Sequence, residues 1–420
     1  MNIFLLVFAV FYFAERVVDF GLTVLNLNHI RKHEKEVPAY FREKITLTQY
    51  QKGIAYNREK AWLGLISSWI EVPIFWGLLL SGFFGRVDSW VRSFQASAIL
   101  DGLFFFALMM SLFFVISLPF SLYGTFIVEQ KYGFNRMNWR TWAVDLVKGI
   151  SLSVLIGAPV LAGVLWLMDH FLHENWWIWA WGLLVVIQLL IQAIFPVVIV
   201  PLFNRLTSLP EGELRDQILR LTKKVDFRIS GIFTMDGSKR STHSNAFFAG
   251  IGKFRRIILF DTLVALLREE ELLAVLAHEI GHSVNKHIRT TLVLSALTSL
   301  AAFFILSIML PQPWFCSAFN FAQPSSYAAL FVFMNTVGPF AFFLSPLSSW
   351  LSRKHEYEAD CFAVKAVASR EPMIQSLVKL SADNLSNLTP HPLYSSFYYS
   401  HPTVMERILA LETIEPGKCV

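Results

Sequence analysis

Charge is scarce in this chain. Only 16% of its 420 residues are Asp, Glu, Lys or Arg, where soluble domains usually carry ~25%. That deficit excludes an ordinary soluble globular protein. With 55% hydrophobic residues and a mean hydropathy of +0.49, the chain belongs in a lipid bilayer. Cysteine is scarcer still. Cys316, Cys361 and Cys419 are scattered without ligand spacing, so they read as inert thiols, with no disulfide framework and no cysteine metal motif. The net charge of +5 is not gathered into a tail, so it reads as bias toward a membrane surface and excludes nucleic acid as a partner. The first apolar run, NIFLLVFAVFYF, lacks a basic leader and a small-residue cleavage site, and reads as a retained span. No internal repeat is visible.

Seven stretches reach the ~20 apolar residues that a spanning helix needs. They lie at 3–28, 61–84, 99–123, 147–170, 177–201, 290–311 and 329–350. The first contains Glu15, Arg16 and Asp19, and the second contains Glu71 and Pro73. Basic residues orient the chain. Eight lie in 29–60 and three in 124–146, against two in 85–98 and none in 171–176 or 312–328. The positive-inside rule therefore puts the N-terminus outside and the C-terminus in the cytoplasm. The fold class expected is mostly α, a polytopic membrane protein with a small cytoplasmic α/β domain. Its parts would be an N-terminal membrane region of five helices (1–201), a cytoplasmic α/β segment (202–289), two further spans (290–350) and a cytoplasmic C-terminal segment (351–420). In the α/β segment, LPEGELRDQILRLTKKVDF reads as a helix, ISGIFTMDG as a strand, and SKRSTHSNAFFAGIGKF with RRIILFDTLVALL as a strand pair. REEELLAVLAHEIGHSVNKH reads as a helix running straight into the sixth span.

That last helix carries chemistry. His278 and His282 are four apart in HEIGH and so share one helical face, with Glu279 beside them. Two imidazoles aimed at one point are what a zinc ion asks of its first two ligands. The extended HExxHxxGxxH pattern fails, because Asn285 and Ile288 stand at its Gly and third His positions. His287 is one residue out of step and reads as a solvated or interfacial histidine. A third ligand is offered by SRKHEYEADCFAVKA, where Glu356 and Asp360 share a helical face and Glu358 points roughly the other way. Glu356 would complete the zinc sphere, and Asp360 would receive an imidazole N–H and fix its tautomer.

HEIGH followed by spans and then EYEAD resembles the M48 metallopeptidases, and within them the Ste24 branch of CaaX prenyl proteases. The likeness extends to YGTFIVEQKYGFNRMNWRTWAVD, KRSTHSNAFFAG, LSRKHEYEAD and YSHPTVMERI. It implies seven transmembrane helices around an internal water-filled chamber, with a gluzincin-type zinc peptidase domain at the cytoplasmic end. It implies one zinc per chain on His278, His282 and Glu356, with Glu279 as general base and Asp360 supporting a ligand. Asn245 and Ala246 match the edge strand that holds substrate, with His243 a weaker candidate. His401 and Arg407 match positions close to the zinc, His401 as a catalytic group and Arg407 as a substrate contact. The implied activity is hydrolysis of peptide bonds near the C-terminus of CaaX-type proteins, prenylated or not at the terminal Cys. Two other functions share some of these features: quality control of membrane proteins by the same zinc chemistry, and a transporter or channel with a structural metal site. The expected location is a bacterial cytoplasmic membrane or the endoplasmic reticulum; the terminal GKCV carries no retrieval signal.

Overall fold

The computed structural model describes residues 2–414, apart from 172, 173 and 251–254. Five helices are long and apolar enough to cross a membrane: Leu47–Leu80, Ala98–Tyr132, Trp139–His170, Trp176–Phe203 and His287–Met309. Ser326–Phe342 and Ser345–Val367 form a further span broken by a 65° bend. The first helix, Ile3–Lys32, is 30 residues long, with Glu15, Arg16 and Asp19 near its middle and Arg31 and Lys32 in its last turn. Among the described residues, five of the seven expected spans fall on helices that meet this test and 329–350 falls on the bent pair, whereas 3–28 falls on Ile3–Lys32, which does not meet it. The second starts well before residue 61 because Thr46 caps it. Thr46 Oγ1 accepts from the Gln49 amide at 3.2 Å and Gln49 Oε1 from the Thr46 amide at 2.9 Å.

Two charges near the middle of the first helix find partners on other elements, which lowers their cost against lipid. Arg16 Nη1 donates to Ser68 Oγ at 2.6 Å, and Asp19 accepts from the Tyr398 hydroxyl at 2.5 Å. Glu15, Arg16, Glu71 and Asn335 line one cavity of about 590 Å³. Toward the other end, Phe84, Phe105, Phe319 and Phe331 interlock with Phe8 and Leu79 in an aromatic core. Of the cysteines, Cys316 is a buried free thiol. Cys419 lies outside the described residues.

The polar segment builds a four-stranded sheet: β1 (Leu206–Ser208), β2 (Gly231–Met235), β3 (Ala246–Ala249) and β4 (Arg256–Phe260). The order is β1-β2-β4-β3, with β2 and β4 parallel and both outer strands antiparallel to their neighbours. β3 is therefore an edge. β1 was not anticipated, and DTLVAL after β4 is helical (Asp261–Leu266). Ile218, Ile257, Leu259, Leu263, Leu276 and Ile280 are buried together beneath the sheet.

The HEIGH helix spans Glu269–Val284, with three glutamates in its first turn. It does not run straight into the sixth span. Lys286 adopts a left-handed conformation (φ 62°), and a new helix starts at His287. The EYEAD helix, Ser345–Val367, lies against it, with Ala277, Ile280 and Ala363 buried in one shared core. Gly281 permits this approach, since a Cβ there would sit 3.1 Å from the Ala359 Cα and the Phe362 Cβ.

Glu271 anchors the start of the HEIGH helix. It is fully buried, accepting from Arg268 at 2.9 Å and from Lys379 at 2.7 Å. Burial alone would raise its pKa, but the Lys379 and Arg268 bonds outweigh that and hold it below the ordinary value. Because the folded value is depressed, the stabilisation is present above the unfolded carboxylate pKa and fades as pH falls through the folded one. Glu271→Gln should lower stability by about 1–3 kcal/mol at neutral pH. Unfolding in detergent checks this: the gap to the parent should narrow in acid, and a gap independent of pH would refute the charge argument.

Candidate active site

The HEIGH and EYEAD helices bring three donor groups to one point. His282 Nε2 lies 3.1 Å from His278 Nε2 and 3.2 Å from Glu356 Oε1, and His278 Nε2 lies 3.5 Å from Glu356 Oε2. All the ligand atoms lie within 4.8 Å of one another, so the three side chains form a group able to hold a metal ion. Glu356 is 3% exposed, and its Oε2 is buried without a hydrogen-bond partner. A buried carboxylate oxygen that makes no hydrogen bond and faces an imidazole nitrogen leaves room for a cation beside its ion pair. His278 reports the same field. Burial and the Arg407 charge push its pKa down, yet Asp360 and Glu356 overcome both and raise it to about 9. The surroundings call for positive charge at that imidazole.

Around this group the structure places further charges. His278 Nδ1 is 2.8 Å from Asp360 Oδ1, the contact expected from the sequence. Arg407 is buried, and it grips Asp360 with Nε at 2.8 Å and Nη2 at 2.6 Å. Its Nη1 lies 3.3 Å from Glu356 Oε2. The guanidinium is thus tied mainly to Asp360 and is no surface arginine. His401 stands at the mouth, its side chain 64% exposed, with Nε2 3.4 Å from Glu356 Oε1.

Glu279 shares one small cavity of about 120 Å³ with His278, Glu356, His401 and Arg407. Burial pushes its carboxyl above the ordinary value, and the two histidines pull the other way without cancelling that rise. Ser244, Asn245 and Ala246 form one wall, so the open edge of β3 begins at the site. The lining also includes the apolar Leu263, Val275, Met373, Leu377 and Leu380. His243 points elsewhere. Its ring stacks on Phe134 at 4.0 Å and its Nδ1 meets Asn384 Oδ1 at 2.8 Å, tying the lead into β3 to the rest of the fold.

Two groups escaped sequence reasoning. His287 is 4% exposed, neither solvated nor interfacial, and its Nδ1 is 3.1 Å from His282 Nδ1. Its Nε2 is 2.8 Å from Glu358 Oε2. A break after the HEIGH helix was the missing signal, and no glycine or proline near residue 286 announces it.

Residues 208–415 match the family model described as peptidase family M48, and residues 26–205 match one described as CAAX prenyl protease N-terminal, five membrane helices. The chain belongs to peptidase family M48. A relative in Saccharomyces cerevisiae, CAAX prenyl protease 1, is 33% identical over 92% of this chain and 90% of its own. The Homo sapiens CAAX prenyl protease 1 homolog is 30% identical over 92% and 90%. The crystal structure of S. mikatae Ste24p superposes with a TM-score of 0.91 at 32% identity, covering 97% of this chain and 99% of that one. The M48 chain is therefore a membrane peptidase with a group able to hold a metal ion, and the transporter reading falls.

Proposed function

We propose that this protein is an integral membrane zinc metalloendopeptidase that cleaves near the C-terminus of CaaX-type proteins. The observation that carries the metal is the donor triangle. His282 Nε2 lies 3.1 Å from His278 Nε2 and 3.2 Å from one Glu356 oxygen, and His278 Nε2 lies 3.5 Å from the other, so two imidazoles and one carboxylate, donor types that zinc takes, converge. His278, His282 and Glu356 would be the ligands. The chemistry supplied by a bound zinc is activation of a water and polarisation of the scissile carbonyl.

The remaining steps fall to the chain's own residues. Glu279, its carboxyl biased upward by burial, takes the proton of the attacking water and returns it to the leaving amine. Asp360 accepts from His278 Nδ1, which keeps Nε2 free to coordinate. Arg407 balances Asp360 and Glu356, so the buried carboxylates are not left unpaired. The Asn245–Ala246 edge holds the substrate backbone as an added strand, and His401 at the mouth steadies the developing oxyanion. The apolar residues lining the same cavity suit the aliphatic residues of a CaaX terminus. The basic loops support a site on the cytoplasmic side, where prenylated proteins are exposed.

The test uses the purified full chain in detergent with fluorogenic CaaX peptides, farnesylated and unmodified. One zinc per chain is expected, with cleavage of the farnesylated peptide that a chelator abolishes and added zinc restores. Stoichiometric zinc with cleavage only of unfolded membrane proteins would replace this reading by quality control.

A further inference from the structure

We propose that His287 and Glu358 act as a positioning pair that holds His282 in the orientation and tautomer required for coordination. The inference rests on the zinc reading and adds to it two residues outside both motifs' expected ligands.

His282 Nε2 faces His278 and Glu356, so Nδ1 is the nitrogen turned away from the metal. That Nδ1 is 3.1 Å from His287 Nδ1. Two imidazole nitrogens at this distance need one proton between them. If His282 coordinates through Nε2, its proton sits on Nδ1, and His287 must accept it with a bare Nδ1. The neutral His287 then carries its proton on Nε2, which is 2.8 Å from Glu358 Oε2 and donates to it. With both rings neutral, a single assignment satisfies every nitrogen. With the opposite tautomer of His282, the His287 proton would move to Nδ1 and leave Nε2 without a proton against the carboxylate.

The fold prepares this contact. In a continuous helix a residue five after His282 would be turned ~140° away from it. Lys286 in the left-handed region breaks the helix and swings His287 back. His287 is 4% exposed, and its ring lies flat on His355 at 4.0 Å with planes 9° apart. Glu358 is the partly exposed end of the chain of contacts, with Lys354 Nζ 3.8 Å from its other oxygen. The arrangement parallels the other ligand, where Asp360 takes the His278 Nδ1 proton directly. The EYEAD segment thus supplies a ligand at Glu356, direct support at Asp360, and relayed support at Glu358. Such outer partners typically change metal affinity by ~10–100-fold.

The experiment measures zinc affinity of the full-length protein in detergent by competition with a chromogenic chelator. His287→Phe keeps the volume and the stack on His355 but removes both nitrogens. It should weaken zinc binding about 10–100-fold. His287→Asn puts an amide where Nδ1 stood and should recover most of the loss. Glu358→Ala, at a partly exposed side chain that does not fill the core, should weaken binding in the same direction even if the Phe variant folds poorly. Wild-type affinity in His287→Phe or in Glu358→Ala, or an Asn variant no better than Phe, would overturn the proposal and make His287 a packing residue. A wild type that holds no zinc would instead sink the zinc reading itself.

Discussion

Glu356→Ala should lose the metal and the peptidase activity together. Its carboxylate is the only one among the three donors, and it is held between His278, His282, His401 and Arg407 with almost no solvent contact. Two effects add on truncation. The metal loses a charged ligand, which should cost more affinity than the ~10–100-fold given up with an outer partner. The Arg407 Nη1 also loses its counter-charge in a buried position. Metal analysis after dialysis should show one zinc per chain in the parent and background in the variant, with cleavage below detection. Stoichiometric zinc in the variant would mean that another group completes the sphere.

His278 and His282 were legible because their relation is local. Four residues on a helix settle which side chains share a face, and the same period joins Glu356 to Asp360. The spans were legible for a similar reason, since the bilayer demands a long run of apolar residues whatever the tertiary packing. What escaped were juxtapositions between elements. The period correctly turned Glu358 away from Glu356, but it could not say that His287 would be waiting on that side. That depends on one backbone conformation at Lys286, a residue type with no left-handed preference. Arg407 was expected near the site from resemblance, yet its burial against Asp360 arises from the packing of the last helix, Val404–Thr413, on the EYEAD helix. The sheet order likewise depends on a crossover that alternation within strands does not encode.

Glu279→Gln separates binding from catalysis, and the separation follows from where Glu279 sits. It is next to His278 in sequence but absent from the donor triangle, and it opens instead into the cavity walled by Asn245 and Ala246. Glutamine has the same size and can still accept one hydrogen bond, so neither the helix nor the ligand set is disturbed. What disappears is the ability to take a proton from water and return it to the leaving amine. Removing a positioned general base typically costs ~10²–10⁴-fold in rate. Zinc content and chelator affinity should therefore match the parent while turnover of a farnesylated peptide falls by about that factor. The loss should appear in kcat rather than KM, because the edge strand and the apolar lining proposed to hold the peptide are intact. A variant that kept zinc and full turnover would assign the proton transfer to another group, and the exposed imidazole of His401, 3.4 Å from Glu356, would be the next residue to replace. Paired with Glu356→Ala, the result divides the site by role: one carboxylate whose loss empties it, and one whose loss leaves it loaded and idle.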